Sequence, residues 1–287
     1  MKTKLVAAIL LLPAVLSAQE RFSIKGRIIN EQGEAVEYVQ VGVPRHQIGT
    51  VTTADGRFEI ETPADTLVFF HVSYQPASYP VTGATEDVVI VLREQELPPA
   101  VFIGGNTKEK YLLRPGMNIL KDMGVISTDM RSEHPSGREL GSVAQARKPF
   151  LVKEIRFSVH SNHIPGCIAS VNIYRIEGQD ETFVNVLHTP IYVDVAVSND
   201  PQHFVIQPEE TVLLEPGRYF ISFQIVGCDE QAQRAFLAKP EEERKFWEMT
   251  MDFNIFLKNS YVRDAALGEM KPFPVNIGVA VKGLEYR

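Results

Sequence analysis

The stretch GTVTTADGRFEI, residues 49–60, decides the first half of the chain. Asp55-Gly56 stands between a threonine-rich run and the alternating pair Phe58/Ile60. Asp-Gly between alternating apolar runs is a hairpin signal, because glycine accepts positive φ without steric cost. Outward from this turn the period stays at two. FSIKGRII (22–29) sets Phe22, Ile24, Gly26 and Ile28 against Ser23, Lys25 and Arg27, the pattern of a half-buried strand. NEQGEA (30–35) is turn-like, YVQVGV (38–43) is strand-like, and Pro44 stops it because proline cannot donate to a ladder. TLVFFHVSY (66–74) is β-branched and aromatic on both faces, which predicts a central strand. ASYPV holds Pro80 and predicts an edge, and DVVIVL (87–92) closes the set. About seven short strands with regular turn signals predict a small β-sandwich.

These residues also carry a resemblance. Ile24, Gly26, Ile28, Gly33, Val39, Gly49, Thr50, Thr52, Asp55, Gly56 and Phe58 follow the plan of the carboxypeptidase regulatory-like domain. Thr53 and Ser73-Tyr74-Gln75 depart from it, standing where that family often has Asp and Gly-Tyr. The resemblance implies a seven-stranded, transthyretin-like sandwich without catalytic residues. It also implies an accessory module of the kind appended to peptidases, TonB-dependent transporters and exported proteins of the Bacteroidota envelope.

The chain has 287 residues and a formal net charge of −7, with no basic stripe. That composition fits a globular protein and argues against nucleic-acid or anionic-membrane partners. Residues 1–18 read as a signal peptide: Lys2 and Lys4, an apolar run from Leu5 to Leu16, then Ser17-Ala18. Cleavage after Ala18 predicts an exported chain in the periplasm or at the cell surface. No cysteine lies there to take a lipid, and no later run is long enough to span a membrane. The predicted organisation is 1–18 signal peptide, 19–97 regulatory-like β-sandwich, 98–110 linker, and 111–287 a larger jelly-roll or Greek-key β-sandwich. The linker rests on Pro98-Pro99, Gly104-Gly105 and mixed charge.

In the second half, KEIRFSVHSN (153–162), ASVNIYRI (169–176), TPIYVDVAV (189–197), QHFVIQP (202–208), GRYFISFQIVG (217–227), NIFLKNSYVRD (254–264) and PVNIGVAVKG (274–283) read as strands. KPEEERKFWEM (239–249) reads as a short helix, with Pro240 in the first turn, a Glu run at the positive end of the dipole, and Phe246 docked inward. IRFSVHSN, VNIYRI, EPGRYFISFQ and YVRDAALGEMKPFPVNIGVAV resemble a β-sandwich domain often paired with the regulatory-like module in exported proteins.

Signatures of the common hydrolases, nucleotide-binding loops and zinc proteases are absent from the sequence. His134, His160, His163 and His188 lack the spacing of a metal site, and the acidic runs DETF (180–183) and PEEERK read as solvated turns. No catalytic, cofactor-binding or metal-binding residue is assigned. Trp247, Tyr261 and Arg263 flank a loop-rich region and are the candidate ligand-binding residues. Cys167 and Cys228 are a candidate disulfide. Cys167 starts one strand and Cys228 ends another, so antiparallel pairing would set them at one rim. The leading functional reading is a non-catalytic binding or assembly module for a glycan or an envelope protein. A carboxylate-dependent hydrolase with its site in the second domain, and a structural spacer, are the alternatives.

Overall fold

The computed structural model describes residues 20–96, 105–114 and 125–286. The signal-peptide region and Pro98-Pro99 lie outside them. Seven strands occupy the first part: β1 Phe22–Asn30, β2 Gln40–Val43, β3 Ile48–Val51, β4 Arg57–Thr62, β5 Thr66–Phe70, β6 Ala77–Pro80 and β7 Thr85–Leu92. They form two sheets, in the orders β4-β1-β7 and β3-β2-β5-β6. Ile24, Ile28, Val39, Val41, Leu67 and Phe69 are fully buried, and Phe58 meets Phe69 edge-to-face at 5.5 Å between ring centres. Strand β5 is central and β6 lies at an edge, as their compositions predict.

The Asp55-Gly56 turn forms, but not as a hairpin. Gly56 has φ +76°, and its N–H donates to the Thr53 carbonyl at 2.9 Å. The flanking strands part at once: β3 pairs with β2, and β4 pairs with β1 with Ile24 opposite Ile60. The turn therefore carries the chain from one sheet to the other. A Cβ on residue 56 would sit 2.5 Å from the Ile28 carbonyl oxygen, which leaves room for glycine alone.

The second part continues with β8 Thr107–Leu113, β9 Val125–Asp129, β10 Glu139–Ala146, β11 Phe150–Val159, β12 Ser161–Asn162, β13 Cys167–Glu177, β14 Thr182–Asn185, β15 Ile191–Val195 and β16 Gln202–Ile206. It ends with β17 Leu213–Leu214, β18 Gly217–Gly227, helix α1 Glu230–Leu237, β19 Thr250–Phe256, β20 Ser260–Arg263, β21 Lys271–Phe273, β22 Asn276–Ile277 and β23 Val279–Tyr286. One sheet runs β14-β13-β18-β10-β20-β21, and another runs β16-β11-β23-β8. Neighbours distant in sequence, such as β11 and β23, make this a crossed-over sandwich rather than a meander. Its core holds Ile155, Phe157, Ile173, Tyr219, Ile221 and Phe253, all almost fully buried.

Three expectations are corrected here. Residues 107–110, read as linker, belong to β8, which pairs with β23 along Thr107–Leu113. The run 254–264 is two strands, because β19 pairs with β9 and β22 while β20 pairs with β10 and β21. The helix lies at Glu230–Leu237 and not at 239–249, where only a single 3-10 turn, Glu241–Glu243, forms. Asp229 caps α1 by accepting from the N–H groups of Gln231 and Ala232, and Phe236 anchors its buried face. Phe246 points to solvent, 78% exposed. No helix among the described residues is long and apolar enough to cross a membrane.

Candidate functional site

The two sandwiches touch along one edge and part along the other. On the closed edge, Gly49 of β3 lies so near residue 266 that a Cβ would fall 2.0 Å from the Ala266 carbonyl oxygen. Tyr38, Val51, Val226 and Ala266 form a shared buried cluster, and Tyr38 meets Tyr192 edge-on at 5.0 Å. Beside it, Glu139 is wholly buried at the start of β10. Its Oε1 accepts from Asn172 Nδ2 at 2.8 Å, Tyr174 Oη at 2.9 Å and Ser222 Oγ at 3.1 Å. Its Oε2 is ion-paired with Arg263 Nη2, which also donates to Gln40 Oε1 of the first sandwich at 3.2 Å. Burial alone would lower the Arg263 pKa, but the Glu139 carboxylate outweighs it and the net direction is upward. This is a buried charge pair tied across the two sandwiches, with the Arg263 Nε left without a hydrogen-bond partner among the described residues.

On the open edge lies a cleft of about 600 Å³, a volume typical of ligand sites between domains. Tyr38, Val51, Phe58, Val88 and Val226 give it apolar walls, and Met130 faces them. Gln233 of α1 holds the far wall in place by donating from Nε2 to the carbonyls of Met130 (3.1 Å) and Ser132 (2.7 Å). The rim carries both signs of charge. Glu59 pairs with Lys25 at 3.0 Å and approaches His134 at 3.6 Å, with Arg27, Arg57, Glu133 and Glu230 around them. Burial would raise the Glu59 pKa, but the hydrogen bond and charge of Lys25 hold it below the usual carboxylate value. A carboxyl kept ionised in this way is a poor proton donor.

The residues singled out from the sequence are not brought together. Arg263 is 7% exposed and spends its charge on Glu139. Tyr261, 8% exposed, donates to Glu181 at 2.7 Å, accepts from Arg218 at 2.9 Å and packs on Phe183. Arg263 contributes to the wall of a separate hollow of about 560 Å³ beside Glu181 and Phe183. Trp247 is 44% exposed, meets Phe246 edge-on at 4.9 Å between ring centres and carries the Lys245 ammonium over its ring at 5.5 Å. Cys167 and Cys228 do stand at one rim, since β13 and β18 are antiparallel neighbours with Ile168 opposite Gly227. Both are free thiols, and burial pushes them up to about 12 and about 11. His160, His163 and His188 have separate surroundings: His163 bonds Asn199, and His188 lies 3.7 Å from Glu210. Among the described residues no three His, Cys, Asp or Glu side chains cluster as a metal site would require. Sequence reasoning missed the cleft because its walls come from segments over a hundred residues apart. The one local trace was Thr50–Ala54, read as hairpin and placed by the fold on the cleft wall.

Two facing sheets of seven strands, joined through a Gly56 turn that admits no side chain, are the frame on which a comparison with known families rests. Residues 24–99 match the family model of the CarboxypepD_reg-like domain. This regulatory-like module supplies one wall of the cleft, and the second sandwich supplies the other. Among solved structures, the chain is similar to a DUF3823 family protein from Bacteroides ovatus ATCC 8483, at 12% identity over 72% of this chain and 97% of that one, with a TM-score of 0.21. A DUF3823 family protein from Parabacteroides merdae ATCC 43184 matches at 10% identity over 90% of this chain and 98% of that one, with a TM-score of 0.20. The VP2 subviral particle of infectious bursal disease virus matches at 9% identity over 96% of this chain and 62% of that one, with a TM-score of 0.28. Superposition is poor in all three. No curated protein matches the chain.

Proposed function

We propose that the chain is an exported, non-catalytic binding protein whose cleft between the two sandwiches receives a polypeptide segment of a partner. The observation that carries this reading is the cleft itself, apolar inside and rimmed by both signs of charge. A segment with an apolar anchor between charged residues matches that surface. A glycan matches it less well: Tyr38 and Phe58, the rings in the walls, are 8% and 6% exposed and offer no open face for a sugar to stack on. The regulatory-like module in one wall supports the non-catalytic reading.

The test is selection from a random-peptide library against the full chain, followed by binding to two variants. Val89 lines the cleft and is 59% exposed, so Val89→Glu leaves the core intact. Peptides with an apolar anchor are expected to be enriched, to lose affinity for Val89→Glu and to keep it for Trp247→Ala. Peptides that survive Val89→Glu and fail on Trp247→Ala would move the site to the exposed aromatic pair and overturn the reading.

A further inference from the structure

A second concavity lies on the outer face of the sheet β16-β11-β23-β8, away from the cleft. Its floor is Gly278, just before β23, and Ala280 of β23, where small residues leave a depression. One bank is Arg156 and Ser158 of β11 with His203 and Val205 of β16, directly across the ladder: Ser158 faces His203, and Arg156 faces Val205. The other bank is Tyr111 of β8, with the Arg114 guanidinium over its ring at 4.6 Å. The trough measures about 610 Å³ and is open to solvent.

Its charge runs against that of the molecule. The chain carries −7, yet the trough is lined by two arginines and a histidine and, among the described residues, by no carboxylate. Glu154, just outside, accepts from Arg156 Nε and Nη2 on a single oxygen, Oε2, and leaves Nη1 uncommitted. Among the described residues, Arg114 is held by the Tyr111 ring. A guanidinium stacked on an aromatic ring keeps its edge donors for a planar oxyanion. Ser158 Oγ and His203 Nδ1 are hydrogen-bonded at 2.6 Å, which turns the remaining hydroxyl and imidazole capacity towards the trough.

The floor strand is interior. β23 is paired with β11 along Val279–Glu285 and with β8 along Val281–Tyr286, and these ladder bonds lie in the plane of the sheet, not on the face that the trough occupies. A polypeptide lying here could not add to the sheet, and its own amides would go unmatched. An acidic saccharide brings hydroxyls for Ser158 and His203 and carboxylates for the two guanidinium groups. We propose that this trough binds an acidic polysaccharide, with uronate carboxylates on Arg114 and Arg156 and ring hydroxyls on Ser158 and His203. The site is independent of the cleft.

The probe is polygalacturonate, with dextran as the neutral polymer and poly-glutamate as the acidic peptide. Binding by the full chain is measured by titration calorimetry at low and at moderate salt. Wild-type protein is expected to bind polygalacturonate and not dextran, and to weaken as salt rises. The double variant Arg114→Gln/Arg156→Gln is expected to lose at least about tenfold in affinity, as the removal of two charge-assisted contacts requires. Val89→Glu in the cleft should change nothing. Both arginines are at the surface, so the double variant should melt like the wild type, and that melt is recorded alongside. Absence of polygalacturonate binding at low salt, equal binding by the double variant, or equally tight binding of poly-glutamate would each overturn the proposal.

Discussion

The closed edge between the sandwiches and the open one are built from opposite materials. On the closed edge, backbone meets backbone at Gly49 and Ala266, and a buried carboxylate is satisfied by three neutral donors and one guanidinium. On the open edge, apolar side chains line a cleft and the charges at its rim face water. Buried charge that is fully paired fixes one arrangement, because each partner depends on the rest. Exposed charge of mixed sign fixes little and stays available to a ligand. One edge holds the molecule together, and the other is free to recognise something.

Substitutions on the two edges should therefore differ in cost, and the largest loss belongs to the closed edge. Glu139→Ala leaves Arg263 buried without its counter-ion and should cost about 3–5 kcal/mol in denaturant unfolding. Gly49→Val drives a side chain into the Ala266 backbone and should cost about 3 kcal/mol, and Ala substituted at exposed Val89 should cost far less.

Acid should loosen the closed edge next. His71 reaches Tyr192 across it, Nε2 to Oη at 3.3 Å, while its Nδ1 accepts from the Ser73 N–H at 3.2 Å. Nδ1 therefore carries no proton, and burial lowers the pKa from 6.5 to about 4. Between those values the unfolded chain takes up a proton that the folded chain refuses. The contribution is complete above pH 6.5 and is lost as pH falls towards 4, by about 1–3 kcal/mol. Melting temperatures across that window should fall for the wild type and fall less for His71→Gln. The smallest effect belongs to the open edge: Glu59→Gln breaks a surface pair with Lys25 and should cost less than about 1 kcal/mol.

The sequence discloses these two edges unequally. Alternation at Ile24/Ile28 and Phe58/Ile60, with the Asp55-Gly56 turn, was enough to predict the first sandwich, since each signal is local. Which sheet each strand joins is not local, and so β3 and β4 looked like a hairpin. β8 was hidden by its setting among Pro, Gly and charge, and only its pairing with β23 makes it a strand. At 239–249, Pro240 and the Glu run imitate a helix start, while the true start is Asp229 with Phe236 one face below. Tyr261 and Arg263 looked available because Ser260–Arg263 is a short polar-aromatic run. All four residues are buried once β10, β21 and the first sandwich close on them. Neither the cleft nor the trough has a sequence motif, because both are assembled by pairings between distant segments.

Scanning calorimetry of the full chain tests most directly whether the closed edge makes the two sandwiches one body. If Glu139, Arg263, Gln40 and the Gly49–Ala266 contact bind them as described, the wild type unfolds in one transition with matching calorimetric and van't Hoff enthalpies. The Glu139→Ala variant should then split that transition in two. Two independent transitions in the wild type, at temperatures that Glu139→Ala leaves unchanged, would contradict it.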